Sequence, residues 1–171
     1  TYKRSSAFSV RCQKEDGSID RVQLLKDDTI DLAKEGIANC YIVSGPGTYS
    51  FPTVVSKSSN HFSRIADAYV LWESYGTDEG ISKGDLIQKA IYDNGRVYFR
   101  PLEPFREGNA VIAVRDSLGT ILWSWHIWLT DPPLEQVYND SYTMMDRNLG
   151  ATSTVPGNAA SMGLLYQWGR K

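Results

Sequence analysis

The stretch Ile121-Leu122-Trp123-Ser124-Trp125-His126-Ile127-Trp128-Leu129 decides the fold, because it is apolar on nearly both of the faces that a strand presents. One face carries Trp123, Trp125, Ile127 and Leu129, and the other carries Leu122, Ser124, His126 and Trp128. A strand of this kind is typical of the centre of a sheet that is covered on both sides. We therefore predict a central strand that ends at Asp131-Pro132-Pro133.

Two hairpin signals precede this strand. Residues 109–115 form an apolar run that the turn Asp116-Ser117-Leu118-Gly119 joins to the central strand, which suits a type I turn closed by a glycine bulge. Upstream, Asn94-Gly95 separates two further apolar runs, 86–92 and 96–99. This dipeptide is a strong hairpin signal, because both central residues of the turn need positive φ.

Shorter strands are predicted at 6–12, 39–43, 48–51 and 67–75, with an edge or end at Pro52. We predict one or two short strands within residues 137–149 and a loop at 150–163. The composition agrees with a sheet protein: 10 Tyr, 5 Trp and 5 Phe occur beside 14 Gly and 7 Pro. Short strands at short spacing, with no long helical period, predict an all-β sandwich.

Size and charge exclude several classes of protein. The chain has 171 residues, 42% of them hydrophobic, which suits one compact domain or a domain with pieces of its neighbours. No apolar run approaches the ~20 residues that span a bilayer. The net charge of −2 leaves no basic excess, so we expect no nucleic-acid partner.

The aromatic residues allow two interpretations. Trp72, Trp123 and Trp125 are predicted to be core, because aromatic residues within strand periods usually are. The alternative is a sugar-stacking platform that also includes Trp128, Tyr92 and Tyr98. If one strand face stays open, Trp128 and Tyr98 are the better candidates for ligand contact.

No catalytic or metal constellation is visible. We interpret His61 as a loop residue and His126 as a half-buried imidazole hydrogen-bonded within the sheet. A zinc site would need several His or Cys ligands at short spacing, and Asp27, Asp28 and Asp31 lack the spacing of a calcium loop. A pair of carboxylates distant in sequence stays open as a catalytic route. We expect no enzyme activity, no cofactor and no bound metal.

Several runs resemble surface proteins of Bacteroidetes. The segments 38–43, 46–51, 108–114 and 119–128 resemble an immunoglobulin-like module of that group. The run Met145-Asp146-Arg147-Asn148-Leu149-Gly150-Ala151, followed by residues 163–171, resembles the start of the Fibrobacter succinogenes major paralogous domain. Such domains occur in large cell-surface proteins and in fimbrillin-like adhesins. Domains of this second kind often close with a Val-Arg-Cys strand, which Val10-Arg11-Cys12 resembles.

The resemblance implies a domain organisation. Residues 1–18 would be the tail strand of a preceding domain, 19–36 a linker, 37–133 an immunoglobulin-like β-sandwich, and 134–171 the truncated start of a major paralogous domain. It also assigns Cys12 and Cys40 to different modules, so we predict that they are not bridged. No complete copy of the paralogous domain is present, and the resemblance carries no catalytic residue.

Two functions follow as hypotheses. The first is a non-enzymatic module of a bacterial cell-surface or fimbrial adhesin, outer membrane-associated or extracellular, that spaces or presents neighbouring domains or subunits and contacts protein or glycan. The second is a carbohydrate-binding accessory module of a polysaccharide-utilisation system. Aromatic rings exposed in a row on one face would favour the second, and rings buried between two sheets the first.

Two short patterns point to modification. Asp28-Thr29-Ile30 and Asp116-Ser117-Leu118 match the Asp-Ser/Thr-apolar pattern that Bacteroidetes use for O-glycosylation of exported proteins. Thr29 and Ser117 are therefore candidate acceptors, with ordinary turn residues as the alternative interpretation.

Overall fold

The computed structural model describes residues 28–54, 62, 64–77 and 80–165. Within that part of the chain, ten strands form two four-stranded sheets and one separate hairpin. The strands are β1 Thr29–Asp31, β2 Cys40–Val43, β3 Thr48–Pro52, β4 Asp67–Ser74, β5 Ile87–Asp93, β6 Arg96–Pro101, β7 Gly108–Arg115, β8 Ile121–Leu129, β9 Glu135–Tyr138 and β10 Tyr142–Met145. The two larger sheets enclose one apolar core, which confirms the predicted all-β sandwich.

The strand order is that of an immunoglobulin-like domain. The first sheet has the order β1-β3-β6-β5, and the second sheet has the order β2-β8-β7-β4. The strands β3, β6 and β5 thus correspond to B, E and D of such a domain, and β4, β7 and β8 correspond to C, F and G. The first strand is divided between the sheets, because β1 pairs with β3 and β2 pairs with β8. Both of these pairings are parallel.

Both predicted hairpins are confirmed. Asn94 and Gly95 have φ values of 44° and 80° between β5 and β6, as a tight turn of this kind requires. Between β7 and β8, the carboxylate of Asp116 accepts hydrogen bonds from the backbone N–H groups of Leu118 and Thr120, each at 2.9 Å. Gly119 closes that turn with a φ of 84°. The central position of β8 between β2 and β7 is confirmed as well.

The core is built around the ring of Phe51. Its centroid lies 5.0 Å from that of Trp125, 5.1 Å from that of Tyr41 and 6.1 Å from that of Phe99. Trp125 is 1% exposed, so its prediction as a core residue is confirmed. These rings come from β2, β3, β6 and β8, and they therefore join the two sheets of the sandwich.

The core prediction fails for Trp72 and holds only partly for Trp123. Trp72 is 44% exposed, because a β-bulge between Val70 and Trp72 breaks the alternation that buries Ala68 and Val70. Trp123 is half-buried at the margin of the core. Its ring stacks on Phe62 at 6.0 Å.

A buried carboxylate joins the two sheets at one side. Glu73 of β4 is 6% exposed, and it accepts backbone hydrogen bonds from Ile87 at 2.7 Å, from Leu86 at 3.2 Å and from Gly84. Because β4 and β5 are the last strands of their respective sheets, Glu73 holds the start of β5 against the opposite sheet.

The predicted linker at 19–36 needs one correction. Residues 29–31 of it form β1, which extends the first sheet because its backbone groups pair with β3. The one or two short strands predicted within 137–149 correspond to β10 and to β9, which begins two residues earlier at Glu135. The predicted loop at 150–163 holds one 3₁₀ turn, Ala159–Ser161. The predicted strand at 6–12, the tail segment 1–18, Cys12, Asp27, His61 and residues 166–171 lie outside the described residues.

Candidate functional site

A separate, exposed hairpin follows the sandwich. We call residues 134–145, which contain β9 and β10, the arm. Every residue of the arm is exposed. Its large apolar side chains are Leu134 at 69% exposure, Val137 at 66%, Tyr138 at 61%, Tyr142 at 68%, Met144 at 56% and Met145 at 46%.

The pairing of β9 with β10 sorts these side chains onto two faces. Tyr138 lies opposite Tyr142. The pair Met144 and Gln136 lies two residues further along the strands and therefore on the same face. Val137 lies opposite Thr143 on the other face. The arm therefore presents a mainly apolar face built around its two tyrosines, and a mixed face behind it.

Arg147 clamps the base of the arm. Its guanidinium donates to Asp131 at 2.6 and 3.2 Å, to Asp146 at 2.8 and 3.1 Å, and to the hydroxyl of Thr130 at 3.2 Å. The Arg147 side chain is only 5% exposed. Since Asp131 precedes the arm and Asp146 follows it, one cation holds both ends of the hairpin. The backbone N–H of Asp146 also donates to the carbonyl of Leu134 at 2.9 Å.

The clamp perturbs the ionisation of its members. Hydrogen bonds from Arg147 hold the pKa of Asp131 and the pKa of Asp146 below their usual range. The same two carboxylates raise the pKa of Arg147 above its ordinary value. All three groups therefore stay charged at neutral pH.

The chain beyond the clamp packs on the outer face of the sandwich. The indole N–H of Trp128 donates to the carbonyl of Ala151 at 3.0 Å, and the amide of Asn109 donates to the carbonyl of Gly150 at 2.9 Å. Trp128, Asn109 and Ala151 are each 0% exposed. Gly150 has a φ of 83°, and a Cβ at this position would come within 2.6 Å of Leu164, so only glycine fits.

This packing corrects the expectation for Trp128. The prediction of ligand contact needed an open strand face, but residues 150–151 cover that face at Trp128. Tyr98 remains half-buried on the outer face of the other sheet, where it pairs with Ser50 and Ile91. The two candidates therefore lie on opposite outer faces of the sandwich, and the structure does not bring them into one site.

A polar row crosses the outer face of the second sheet. The thiol of Cys40 lies 3.1 Å from Nδ1 of His126, and Nε2 of His126 lies 2.9 Å from Oδ1 of Asn109. Burial raises the pKa of Cys40 to about 12 and lowers the pKa of His126 to about 4. The interpretation of His126 as a half-buried imidazole bonded within the sheet agrees with these contacts.

The row contains the residue types of a Cys-His-Asn catalytic triad in the same order. Its thiol and imidazole, however, do not have the charges that such a triad needs. Such catalysis needs a thiolate, which a nearby imidazolium stabilises. At neutral pH both the thiol and the imidazole are uncharged, because burial disfavours their charged forms. The row therefore acts as a hydrogen-bonded tie between β2, β8 and β7. Cys40 carries a free thiol.

The remaining candidate residues are scattered. Ser117 is exposed in the β7–β8 turn, whereas Thr29 is half-buried in β1. Asp31 forms an ion pair with Arg96 at 2.6 Å. In the described ranges, no three His, Cys, Asp or Glu side chains come together in a way that could hold a metal ion.

The sequence interpretation missed the clamp and the polar row. Arg147 stands 16 positions from Asp131, and Cys40 stands 86 positions from His126, so no local spacing connects either pair. The one local signal in the sequence is the run Asp146-Arg147-Asn148, in which a cation directly follows a carboxylate.

Nowhere in the described ranges is there a helix of the length and apolarity that crossing a membrane requires. Comparisons of the chain with protein-family models, with curated proteins and with solved structures give no match.

Proposed function

We propose that this chain is a non-enzymatic module of a bacterial cell-surface or fimbrial adhesin, whose sandwich presents the arm to a neighbouring domain or subunit. The observation that carries the proposal is the arm itself, with six large apolar side chains 46–69% exposed in twelve residues. Tyr138, Tyr142 and Met144 share one face of the hairpin, and an exposed apolar face of this kind is typical of a contact site for another protein. A two-stranded hairpin is also only marginally stable alone in water, so a covering partner would stabilise it.

The clamp supports the presenting role. Arg147 joins both ends of the arm to Thr130 and Asp131, which directly follow the central strand β8. The segment 150–151 is fixed on the other side of the clamp by the hydrogen bonds from Trp128 and Asn109. An arm held at its base in this way has a defined direction relative to the sandwich, which is what a spacing module needs.

Two further features support a non-enzymatic surface module. The polar row of Cys40, His126 and Asn109 is held in uncharged form by burial, which opposes nucleophilic catalysis there. Ser117 is exposed at a hairpin tip, where a glycan would meet no obstruction from the sheet.

The alternative function, a carbohydrate-binding accessory module, has one observation in its favour. Trp72 is 44% exposed beside Leu71, which is 40% exposed, so an aromatic ring is available at the edge of the second sheet. Trp125 and Trp128 are buried, however, and no row of exposed tryptophans forms in the described part of the chain. The adhesin module is therefore the function we favour.

Site-specific photo-cross-linking in the cells that make the protein tests the proposal. A photoreactive amino acid replaces Tyr142, which is 68% exposed on the apolar face of the arm. The matched control carries it at Leu118, which is 88% exposed at the β7–β8 turn. Adducts to protein at Tyr142 and none at Leu118 are expected. Equal cross-linking at both positions, or none at Tyr142, would contradict the proposal.

A glycan-binding panel distinguishes the alternative. Binding that disappears in Trp72→Ala, and that persists when Tyr142 is replaced by Ser, would favour the carbohydrate-binding module over the adhesin module.

A further inference from the structure

A groove runs along the seam between the two sheets, on a surface different from the arm. It lies where β4 of one sheet faces β5 of the other, and its volume is about 310 Å³. We call it the seam groove. Its walls include Tyr69 of β4, Lys83 of the loop between β4 and β5, and Gln88 and Lys89 of β5.

The seam groove is bordered by two free strand edges. In the described ranges, β4 pairs only with β7 and β5 pairs only with β6, so each strand has one edge without a partner strand. Backbone N–H and C=O groups at such an edge are available to an added strand. The N–H groups of Leu86 and Ile87 are the exception, because Glu73 already accepts from them. The free edge of β5 thus begins beyond Ile87.

The described side chains that line the seam groove include two lysines and no carboxylate. Lys83, Gln88 and Lys89 are exposed, and no carboxylate pairs with either lysine among the described residues. Three described carboxylates nearby in sequence have other partners. The first, Glu73, accepts from the backbone N–H groups of Gly84, Leu86 and Ile87. Asp67 is bound by Arg115 at 2.7 and 2.8 Å, and Asp85 accepts from the backbone N–H of Ser82 at 2.7 Å.

Tyr69, the aromatic residue that lines the groove, is not free to stack on a sugar. The ring of Tyr69 is in contact with two cations: the Arg115 guanidinium lies 4.6 Å from its centroid, and the Lys83 ammonium lies 5.4 Å away. A sugar would have to displace them in order to stack. The groove therefore fits a peptide better than a glycan.

We propose that the seam groove binds an extended acidic segment of a partner protein. The segment adds as a strand to the free edge of β5, and its carboxylates lie at Lys83 and Lys89. Main-chain hydrogen bonds supply affinity in this mode of recognition, and alternate side chains supply specificity. The two lysines select acidic over basic segments through charge complementarity.

The test is fluorescence anisotropy with a labelled peptide of sequence Thr-Glu-Val-Glu-Val-Glu-Thr, added to the full chain at low salt. The wild-type chain is expected to bind it, and to bind the analogue with Lys in place of Glu at least about tenfold more weakly. An analogue with alternate N-methylated amides, which cannot pair along a strand edge, is expected to lose binding.

Charge reversal locates the site. The double variant Lys83→Glu, Lys89→Glu is expected to weaken binding of the acidic peptide by about tenfold or more, since exposed charge contacts change sign. Lys34→Glu is the matched control, because it reverses an exposed lysine that follows β1 at the opposite edge of the first sheet. Urea midpoints equal to that of the wild type establish that both variants are folded.

Four outcomes would overturn the proposal: no binding of the acidic peptide, equal loss in Lys34→Glu, full binding of the N-methylated analogue, or binding of a sulfated oligosaccharide in place of the peptide. None of these outcomes bears on the proposed role of the arm, which cross-linking at Tyr142 tests separately.

Discussion

Replacing Trp128 tests whether this residue is an anchor of the fold or a surface contact. Its side chain is 0% exposed, and its N–H donates to the carbonyl of Ala151 at 3.0 Å. Trp128→Ala removes a buried ring, which should cost about 3–5 kcal/mol of unfolding free energy. Trp128→Phe keeps most of the ring and leaves the carbonyl of Ala151 without its donor, which should cost about 1–3 kcal/mol.

Urea denaturation followed by far-UV circular dichroism measures both costs. With a slope of about 2 kcal/mol per molar urea, a loss of about 4 kcal/mol lowers the midpoint by about 2 M. Leu118→Ala is the control, because Leu118 is 88% exposed and its truncation should change stability by no more than about 0.5 kcal/mol. A midpoint that stays the same in Trp128→Ala would refute the burial of this ring and restore its candidacy as a ligand contact.

Three further predictions concern buried polar groups. Glu73→Gln replaces the acceptor of three backbone N–H groups and should lower the unfolding free energy by about 2 kcal/mol in urea denaturation. In a Cys12→Ser chain, the pKa of about 12 at Cys40 should make alkylation by iodoacetamide at pH 8 roughly 10³-fold slower than in the unfolded chain. The pKa of His126, about 4, lies below its unfolded value of about 6.5, so the unfolded state binds more protons between these values. Stability should therefore fall as the pH drops from about 6.5 to about 4, and less steeply in His126→Gln.

Each of these measurements has its own check. Glu135→Gln, at an exposed carboxylate of the arm, should leave the urea midpoint unchanged, and an equal loss in both variants would count against the role of Glu73. Alkylation of Cys40 as fast in the folded as in the unfolded chain would contradict its burial. Equal pH slopes for wild type and His126→Gln would remove His126 as the group that titrates in that window.

Periodicity and turn chemistry predicted most of the sandwich. The strand Ile121–Leu129 is central because its apolar residues occupy both faces, and the Asn94-Gly95 turn forms because its backbone angles suit those residues. Both signals are local. The bulge at Leu71 is not a local signal, because an inserted residue is recognisable only when the partner strand is known. Simple alternation therefore predicts the wrong face for Trp72.

The candidate site was much less predictable than the fold. Alternation predicts that Trp128 lies on the outer face of its strand, but it does not show what covers that face. The cover is the segment 150–151, which a later loop supplies. The clamp depends on Asp131 and Arg147, which lie 16 positions apart and meet only because the arm folds back on itself. The short strands of the arm were predicted, but their exposure depends on tertiary packing, which the pattern of residues does not encode.

A distance measurement between the arm and the sandwich tests the central claim most directly. Spin labels are placed at Thr143 in the arm and at Ser117 in the β7–β8 turn, both exposed, in a chain with Cys12→Ser and Cys40→Ser. Double electron–electron resonance should give a single narrow distance distribution, which broadens when Arg147→Ala removes the clamp. A broad distribution in the chain that retains Arg147, unchanged by its removal, would contradict the claim that the sandwich presents the arm in a fixed direction.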